Sequence, residues 1–335
     1  MSARKHGAQS HRLVLGTVAA TAAAITAREL IGVGSKPVTP GRLVHLDGGP
    51  QHVVERRGAR RPTIVFESGL GNPVTMWAWL FRHLPEETHF VGYDRPGVGW
   101  SRPITGSLDS SRYPEHLLSL LEAAGAPPPY LLVGHSLGGL LIRLFAERQP
   151  QLTAGLVFVD ATHPAELLTS SWLDGSSVMQ DRLNQWMVRA TLGMPVDEGL
   201  TAELASLPPS LTAATVKAKT RAGSLRAARR ELGLSREWAA SCDRAGFRAP
   251  CPVAVVTATV SLESRPEFAG YQDDLVRLSD VGRAHFVVKA THNSLLTDRE
   301  HAAKVAEAVV WVLDRAPHRP VRTPRQVSRN GRRSA

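Results

Sequence analysis

The chain has 335 residues, 43% of them hydrophobic and 21% charged, with a formal charge of +10 at neutral pH. That length and apolar fraction suit one large globular domain with insertions, or two small domains, and exclude a chain that is disordered throughout. The charge does not signal nucleic-acid binding. Residues 1–12 carry Arg4, Lys5 and Arg12, residues 316–335 carry Arg319, Arg322, Arg325, Arg329, Arg332 and Arg333, and neither stretch holds an acid, so the body between them is close to neutral. No basic patch interleaved with aromatic residues accompanies these ends.

In chain order, the first element is an apolar run, LVLGTVAATAAAITA, over residues 13–27. It would give about 22 Å of helix against a hydrocarbon core of about 30 Å, the size of a secretory signal's apolar region or of a short N-terminal anchor. Small-x-small cleavage sites lie inside the run rather than after it, so cleaved signal and retained anchor both stand. Either one predicts the cell envelope as the location, secreted or membrane-anchored. The Gly- and Pro-rich stretch 32–42 then breaks any helix, and residues 1–41 read as this address segment plus a linker.

The body is a string of short apolar strands alternating with helical patterns, which predicts an α/β fold with a mostly parallel sheet flanked by helices. An opening hairpin turns at Gly48 and Gly49. Six further strands follow at 63–68, 89–94, 130–135, 155–160, 253–258 and 284–290, and their continuous Val, Leu, Ile and Phe predict burial on both faces. Residues 161–250 lack any strand signal. There SVMQDRLNQWMVRATLG sets Met179, Leu183, Trp186, Met187 and Ala190 on one helical face, which predicts a helical cap lying apolar side down on the sheet edge. The core is therefore expected over 42–160 and 251–315, and 316–335 reads as a disordered basic tail. Cys242 and Cys251 could close a short loop or simply pack. No metal-ligand spacing occurs, and neither metal nor cofactor is implied.

Within YLLVGHSLGGLLIRLF, residues 130–145, a strand turns sharply into a helix at Ser136. Such a turn strains the turn residue, needs small neighbours such as Gly134 and Gly138, and thrusts the serine outward at a helix N-terminus, where the dipole favours developing negative charge. That pattern is a nucleophile elbow. An aspartate at position 136 would have pointed to dehalogenase or epoxide chemistry instead.

From residue 42 to about 314 the chain resembles the α/β-hydrolase superfamily, through PTIVFESGLG, VGYDRPGVGWSRP, YLLVGHSLGGLLIRLFAERQP, GLVFVDATHP and KATHNSLLTDREHAAKVAEAVV; it looks like a bacterial capped serine hydrolase of the esterase and lipase kind. The resemblance implies a base after the last strand. His285 falls in a strand, His301 in the last helix and His318 in the tail, which leaves His292 in the loop ATHNSLL. It also implies an orienting acid between Ser136 and His292. The usual position, after the strand 253–258, reads TVSLES without an aspartate, so the candidates are Asp160 at a strand end and Glu263, with Asp160 preferred. Asp94 precedes Ser136 and reads as a turn residue. The backbone N–H groups of Leu137 and Leu70 match the family's oxyanion donors.

The implied activity is hydrolysis of small to medium apolar carboxylic esters through an acyl-enzyme. Met179, Leu183, Trp186 and Met187 would roof the acyl pocket, while His163 and Trp172, after the strand 155–160, either border the pocket or, as preferred, pack in the core or cap. The expected partners are an ester substrate and a membrane, without nucleic acid. The alternatives are a catalytically silent binding protein at the envelope, or an amide or thioester hydrolase or acyltransferase with the same triad.

Overall fold

The computed structural model describes residues 41–242 and 246–317. The apolar run at 13–27 and His318 with the arginine-rich tail lie outside the described residues; among those described, no helix is long and apolar enough to cross a membrane. All eight expected strands form: β1 (Arg42–Leu46), β2 (Gly49–Arg56), β3 (Arg60–Glu67), β4 (Thr88–Tyr93), β5 (Tyr130–His135), β6 (Thr153–Val159), β7 (Val253–Ala258) and β8 (Gly282–Val287). They make one sheet in the order β1-β2-β4-β3-β5-β6-β7-β8. The β1–β2 and β2–β4 pairs are antiparallel and every later pair is parallel, so the ends of β3, β5, β6 and β7 face the same edge.

The helices between strands are α1 (Ala78–His83), α2 (Tyr113–Ala124) and α3 (Leu137–Arg148); those after β7 are α9 (Thr259–Ser264), α10 (Phe268–Val276), α11 (Ser294–Thr297) and α12 (Arg299–Leu313). Numbers α4 to α8 belong to the insertion: α4 (Pro164–Leu167), α5 (Ser170–Leu192), α6 (Glu198–Leu204), α7 (Pro209–Thr220) and α8 (Ala222–Ser241).

The sheet's two faces carry separate cores. Along β5, Tyr130 and Leu132 pack with α2, α3 and α8, while Leu131 and Val133 pack with α1, α11 and α12. A strand alternates its side chains, so only an unbroken apolar run can feed both layers. Truncating one of these residues, Leu132→Ala for instance, would cost about 2–5 kcal/mol. The expectation of two covered faces fails at β8. That strand is the sheet edge, and its Phe286 is 59% exposed while Val287, on the opposite face, is buried.

Among its described residues the insertion holds five helices where the sequence pattern marked one. α5 opens on Thr169, whose hydroxyl accepts from the N–H of Trp172 at 3.2 Å, and closes on Gly193 in the left-handed region. Its apolar face packs on α8: Leu183 is buried with Leu225, Ala228 and Leu232, and Trp172, Trp186, Met187 and Ala190 flank them. Met179 stands at the surface and does not share this face. The far end of α8 enters the main core, where Trp238 is buried and donates to the carbonyl of Leu108 at 3.0 Å. Cys242 and Cys251 are buried free thiols of the same core, not a disulfide.

Candidate active site

Ser136 sits between β5 and α3 with φ 53° and ψ −124°. From residue 128 to 147 it is the one residue that is not buried, so the turn exposes its hydroxyl while hiding everything around it. The flanking glycines are needed sterically. A Cβ on Gly134 would lie 2.5 Å from the carbonyl oxygen of Gly138, and one on Gly138 would lie 2.2 Å from that of Glu67. Among the described residues, the non-glycine residues with positive φ are Ser136, Asp160 (φ 42°) and Lys289 (φ 62°). Such backbone costs about 1–3 kcal/mol per residue and gathers at functional sites. Here it marks the ends of β5 and β6 and the loop that leads to His292.

Asp160 ends β6 and is buried. Its Oδ2 accepts from His292 Nδ1 at 2.7 Å and from the Ser261 hydroxyl at 2.6 Å, and its Oδ1 accepts from the N–H of Ala258 at 3.0 Å. Burial pushes this carboxyl up, but the hydrogen bond and charge of His292, with the Ser261 and Ala258 donors, outweigh it and hold the group below its ordinary value. With Nδ1–H given to Asp160, the lone pair of His292 Nε2 is left for a proton from a nucleophile. The structure thus brings Asp160 and His292 into contact beside the elbow; no hydrogen bond joins Ser136 Oγ to His292. Glu263 is exposed on α9 and makes no hydrogen bond to His292.

His135 lies fully buried under the site, its ring 4.5 Å from that of His292, and its Nε2 meets the His292 carbonyl at 2.9 Å. Burial first, and the charge of His292 second, lower it to about 3, so it is neutral and Nε2–H is the donor. On the other side of Ser136 runs the loop 68–72. A Cβ on Gly69 would be 3.2 Å from Ser136 Cβ and 3.1 Å from both Asn72 Nδ2 and His135 Nδ1, which measures how closely this loop covers Ser136. The N–H groups of Leu70 and Leu137 are not used by hydrogen bonds within the described chain.

Several polar residues at this edge have no counterpart in the sequence reading. Lys219 of α7 donates to Asn72 Oδ1, and burial lowers its ammonium to about 8. Glu203 of α6 accepts from Asn293 Nδ2 at 2.6 Å, beside His292. Arg95 is buried between Glu67 of β3 and Glu231 of α8. Burial works against the Arg95 charge, but the two carboxylates prevail and keep it protonated; burial raises Glu67 against the pull of Arg95. A cavity of about 370 Å³, lined by Ile104, Leu108, Arg230 and Trp238 among others, shares Arg95 and Glu231 with this cluster and does not include Ser136 or His292.

The remaining candidates are structural in place. Asp94 accepts from the N–H groups of Val74 (2.7 Å) and Trp100 (2.9 Å) and pairs with His52, so it braces two turns. His163 caps α4, accepting from Ala165 N at 3.1 Å, and stacks on Tyr271. His285 lies in β8 and His301 in α12, as expected. Among the described residues, no three His, Cys, Asp or Glu side chains gather as metal ligands would.

Comparison with known proteins agrees with this architecture. Residues 62–191 match the family described as alpha/beta hydrolase fold. The uncharacterized protein YqjL of Bacillus subtilis (strain 168) is 35% identical over 115 residues, 34% of this chain and 46% of that protein. The chain thus spans about half the length or less of the curated relatives it matches. Among solved structures, a thermophilic esterase from Thermogutta terrifontis superposes with a TM-score of 0.58 at 16% identity, covering 82% of this chain and 99% of that one. A Bacillus megaterium epoxide hydrolase gives 0.62 at 16% identity, covering 80% and 99%. With its eight-stranded, mostly parallel sheet, its strand-to-helix elbow and the family match over residues 62–191, the chain has the α/β-hydrolase fold.

Proposed function

We propose that the protein is a serine hydrolase acting on small to medium apolar carboxylic esters. The family match and the esterase and epoxide hydrolase neighbours support a hydrolase; Ser136, in place of an aspartate, favours the ester branch. The observation that carries the reading is the 2.7 Å bond from His292 Nδ1 to the buried Asp160, set beside the strained Ser136. Ser136 Oγ attacks the ester carbonyl as His292 Nε2 takes its proton. The N–H groups of Leu70 and Leu137 receive the oxyanion, the alcohol leaves with the proton from His292, and water releases the acid by the same steps. The donated Nδ1–H fixes the tautomer, and Asp160 steadies the imidazolium. The apolar side of the site is the cluster that joins Leu70 to the α5 and α8 faces. The proposal includes a place at the cell envelope, held or directed by residues 13–27, which fractionation of cells making the full chain would test.

The test is labelling with a fluorophosphonate and turnover of p-nitrophenyl esters of graded chain length. The wild-type chain should label and turn over. Ser136→Ala and His292→Ala should each lose about 10⁴ to 10⁶ in kcat with an unchanged circular-dichroism spectrum. Near wild-type turnover in either variant sinks the mechanism.

A further inference from the structure

Arg95, Glu67 and Glu231 form a buried ion cluster that the reaction above does not use. We propose that Arg95, held by Glu231 from the cap, is a positioning residue that aims the N–H of Leu70 at the oxyanion; this rests on the serine-hydrolase reading.

The argument begins with the backbone of the loop 68–71. Arg95 Nη1 donates to the carbonyl of Ser68 at 2.5 Å and Nη2 to the carbonyl of Gly69 at 2.7 Å. A trans peptide is planar with its C=O and N–H antiparallel. Fixing the Ser68 and Gly69 carbonyls on the guanidinium therefore turns the N–H groups of Gly69 and Leu70 away from Arg95. The next peptide is turned the other way, because the N–H of Gly71 donates to Glu231 Oε2 at 2.9 Å. Neither Gly69 N–H nor Leu70 N–H is used within the described chain, and Gly69 lies against Ser136.

The guanidinium is itself fixed from two sides. Glu231 receives Nε at 2.8 Å and Nη2 at 2.8 Å, the bidentate geometry that an arginine's planar fork allows, and Glu67 Oε1 receives Nη1 at 2.5 Å. Glu67 Oε2 accepts in turn from the hydroxyls of Tyr93 and of Tyr113. Glu67 thus belongs to the core and Glu231 to the cap, and Glu231 touches both the arginine and the loop it steers. Cap helix α8 consequently completes the oxyanion donor, so docking of the cap and competence of the hole are one event.

The test uses the full chain with Arg95→Met, Arg95→Lys and Glu231→Gln. If Arg95→Met fails to fold, because it leaves two buried carboxylates facing each other, Glu231→Gln and the double variant Arg95→Met/Glu231→Gln carry the test. Removing an oxyanion donor costs about 10² to 10³ in kcat. Arg95→Met should approach that loss, Glu231→Gln about tenfold, and Arg95→Lys should recover only part, since an ammonium cannot hold both carbonyls with one plane. KM for p-nitrophenyl butyrate should stay within about threefold, while affinity for a trifluoromethyl ketone, which builds the oxyanion on Ser136, should fall by the same factor as kcat. Crystal structures of the variants should show peptide 69–70 rotated. An unchanged kcat, a kcat loss without a matching loss of ketone affinity, or peptide 69–70 kept in its native orientation overturns the proposal. If instead the wild-type chain neither labels at Ser136 nor turns over, the serine-hydrolase reading fails, and the orientation of peptide 69–70 in the variants still decides whether Arg95 and Glu231 set it.

Discussion

Asp160 and Glu231 are both buried carboxylates at the same edge of the sheet, and they are secured in opposite ways. Asp160 takes its three donors from the ends of the core: His292 after β8, Ser261 in α9 and the N–H of Ala258 at the end of β7. Glu231 takes its donors across a boundary, standing on a cap helix while Arg95 and Gly71 belong to the core. Opening the cap would leave the acid and base intact and would release the oxyanion loop. On the proposed serine-hydrolase mechanism, proton transfer and charge stabilisation would therefore depend on different parts of the fold, and each can be attacked separately.

The largest effect should come from the core side. Asp160→Asn keeps the shape but gives His292 Nδ1 an uncharged partner that can accept weakly or present its amide nitrogen, so the tautomer and the imidazolium lose their support. Turnover should fall by about 10³ to 10⁴ with little change in KM. Glu263→Gln, exposed on α9, should leave kcat within about twofold. The reverse ranking, measured with one p-nitrophenyl ester, would return the acid's role to Glu263.

How much of this contrast could be read from the sequence follows from the range of the interactions. The elbow and the loop bearing His292 are local patterns, a strand run, a breaker and a helix run, so they were legible residue by residue. Asp160 and Glu263 could not be separated by pattern, because that choice depends on whether β6 or α9 brings an acid to His292. The clamp was not legible at all. Glu67, Arg95 and Glu231 stand 28 and 136 positions from one another along its two ion pairs, and each looks like an ordinary charged residue until the chain is folded. The cap suffered similarly: α8 buries Leu225, Ala228, Leu232 and Trp238 among arginines and small residues that hide the face in the sequence, and on α5 Met179 continues the stripe in sequence and reaches the surface in space.

An intermediate effect should appear on acidification, and it belongs to the core side. Burial and the neighbouring His292 lower His135 to about 3, against about 6.5 unfolded, so between those values the unfolded chain binds more protons and stability falls as pH falls. The ceiling is about 1.4 kcal/mol per pH unit for one such group. Asp160, held below its ordinary value, adds the same sign at lower pH: its contribution is complete above the usual carboxylate range and is lost as pH falls through its folded value. His89, His116 and His285 are lowered by burial as well. Urea midpoints from pH 7.5 to 4 should therefore fall steadily in the wild type and more gently, though not flatly, in His135→Gln. Equal slopes would mean that His135 is not held neutral.

The smallest effect concerns the cap's apolar face and asks whether it chooses the substrate or only holds α5 to α8. Trp186 is half-buried at the junction of the cap cluster and the second core, with the guanidinium of Arg182 5.2 Å from its ring centre. Leu70, whose N–H is the proposed oxyanion donor, packs in the same cluster, so the face reaches to within one residue of the chemistry. If Trp186 bounds the acyl group, Trp186→Ala opens space there. Each methylene in such a pocket discriminates by about 1–3 kcal/mol, so the preferred p-nitrophenyl ester should become longer, or the preference flatter. If the ring only packs α5 on its neighbours, the melting temperature should fall while the ratio of kcat/KM between short and medium esters stays as in the wild type. Leu183→Ala separates the two further: Leu183 is buried against Leu225, Ala228 and Leu232, and its truncation should cost about 2–5 kcal/mol of stability by leaving a cavity. A chain-length shift in Trp186→Ala that Leu183→Ala does not share would place the boundary of the acyl pocket at the tryptophan, whereas equal shifts in both variants would trace the change to loosening of the cap.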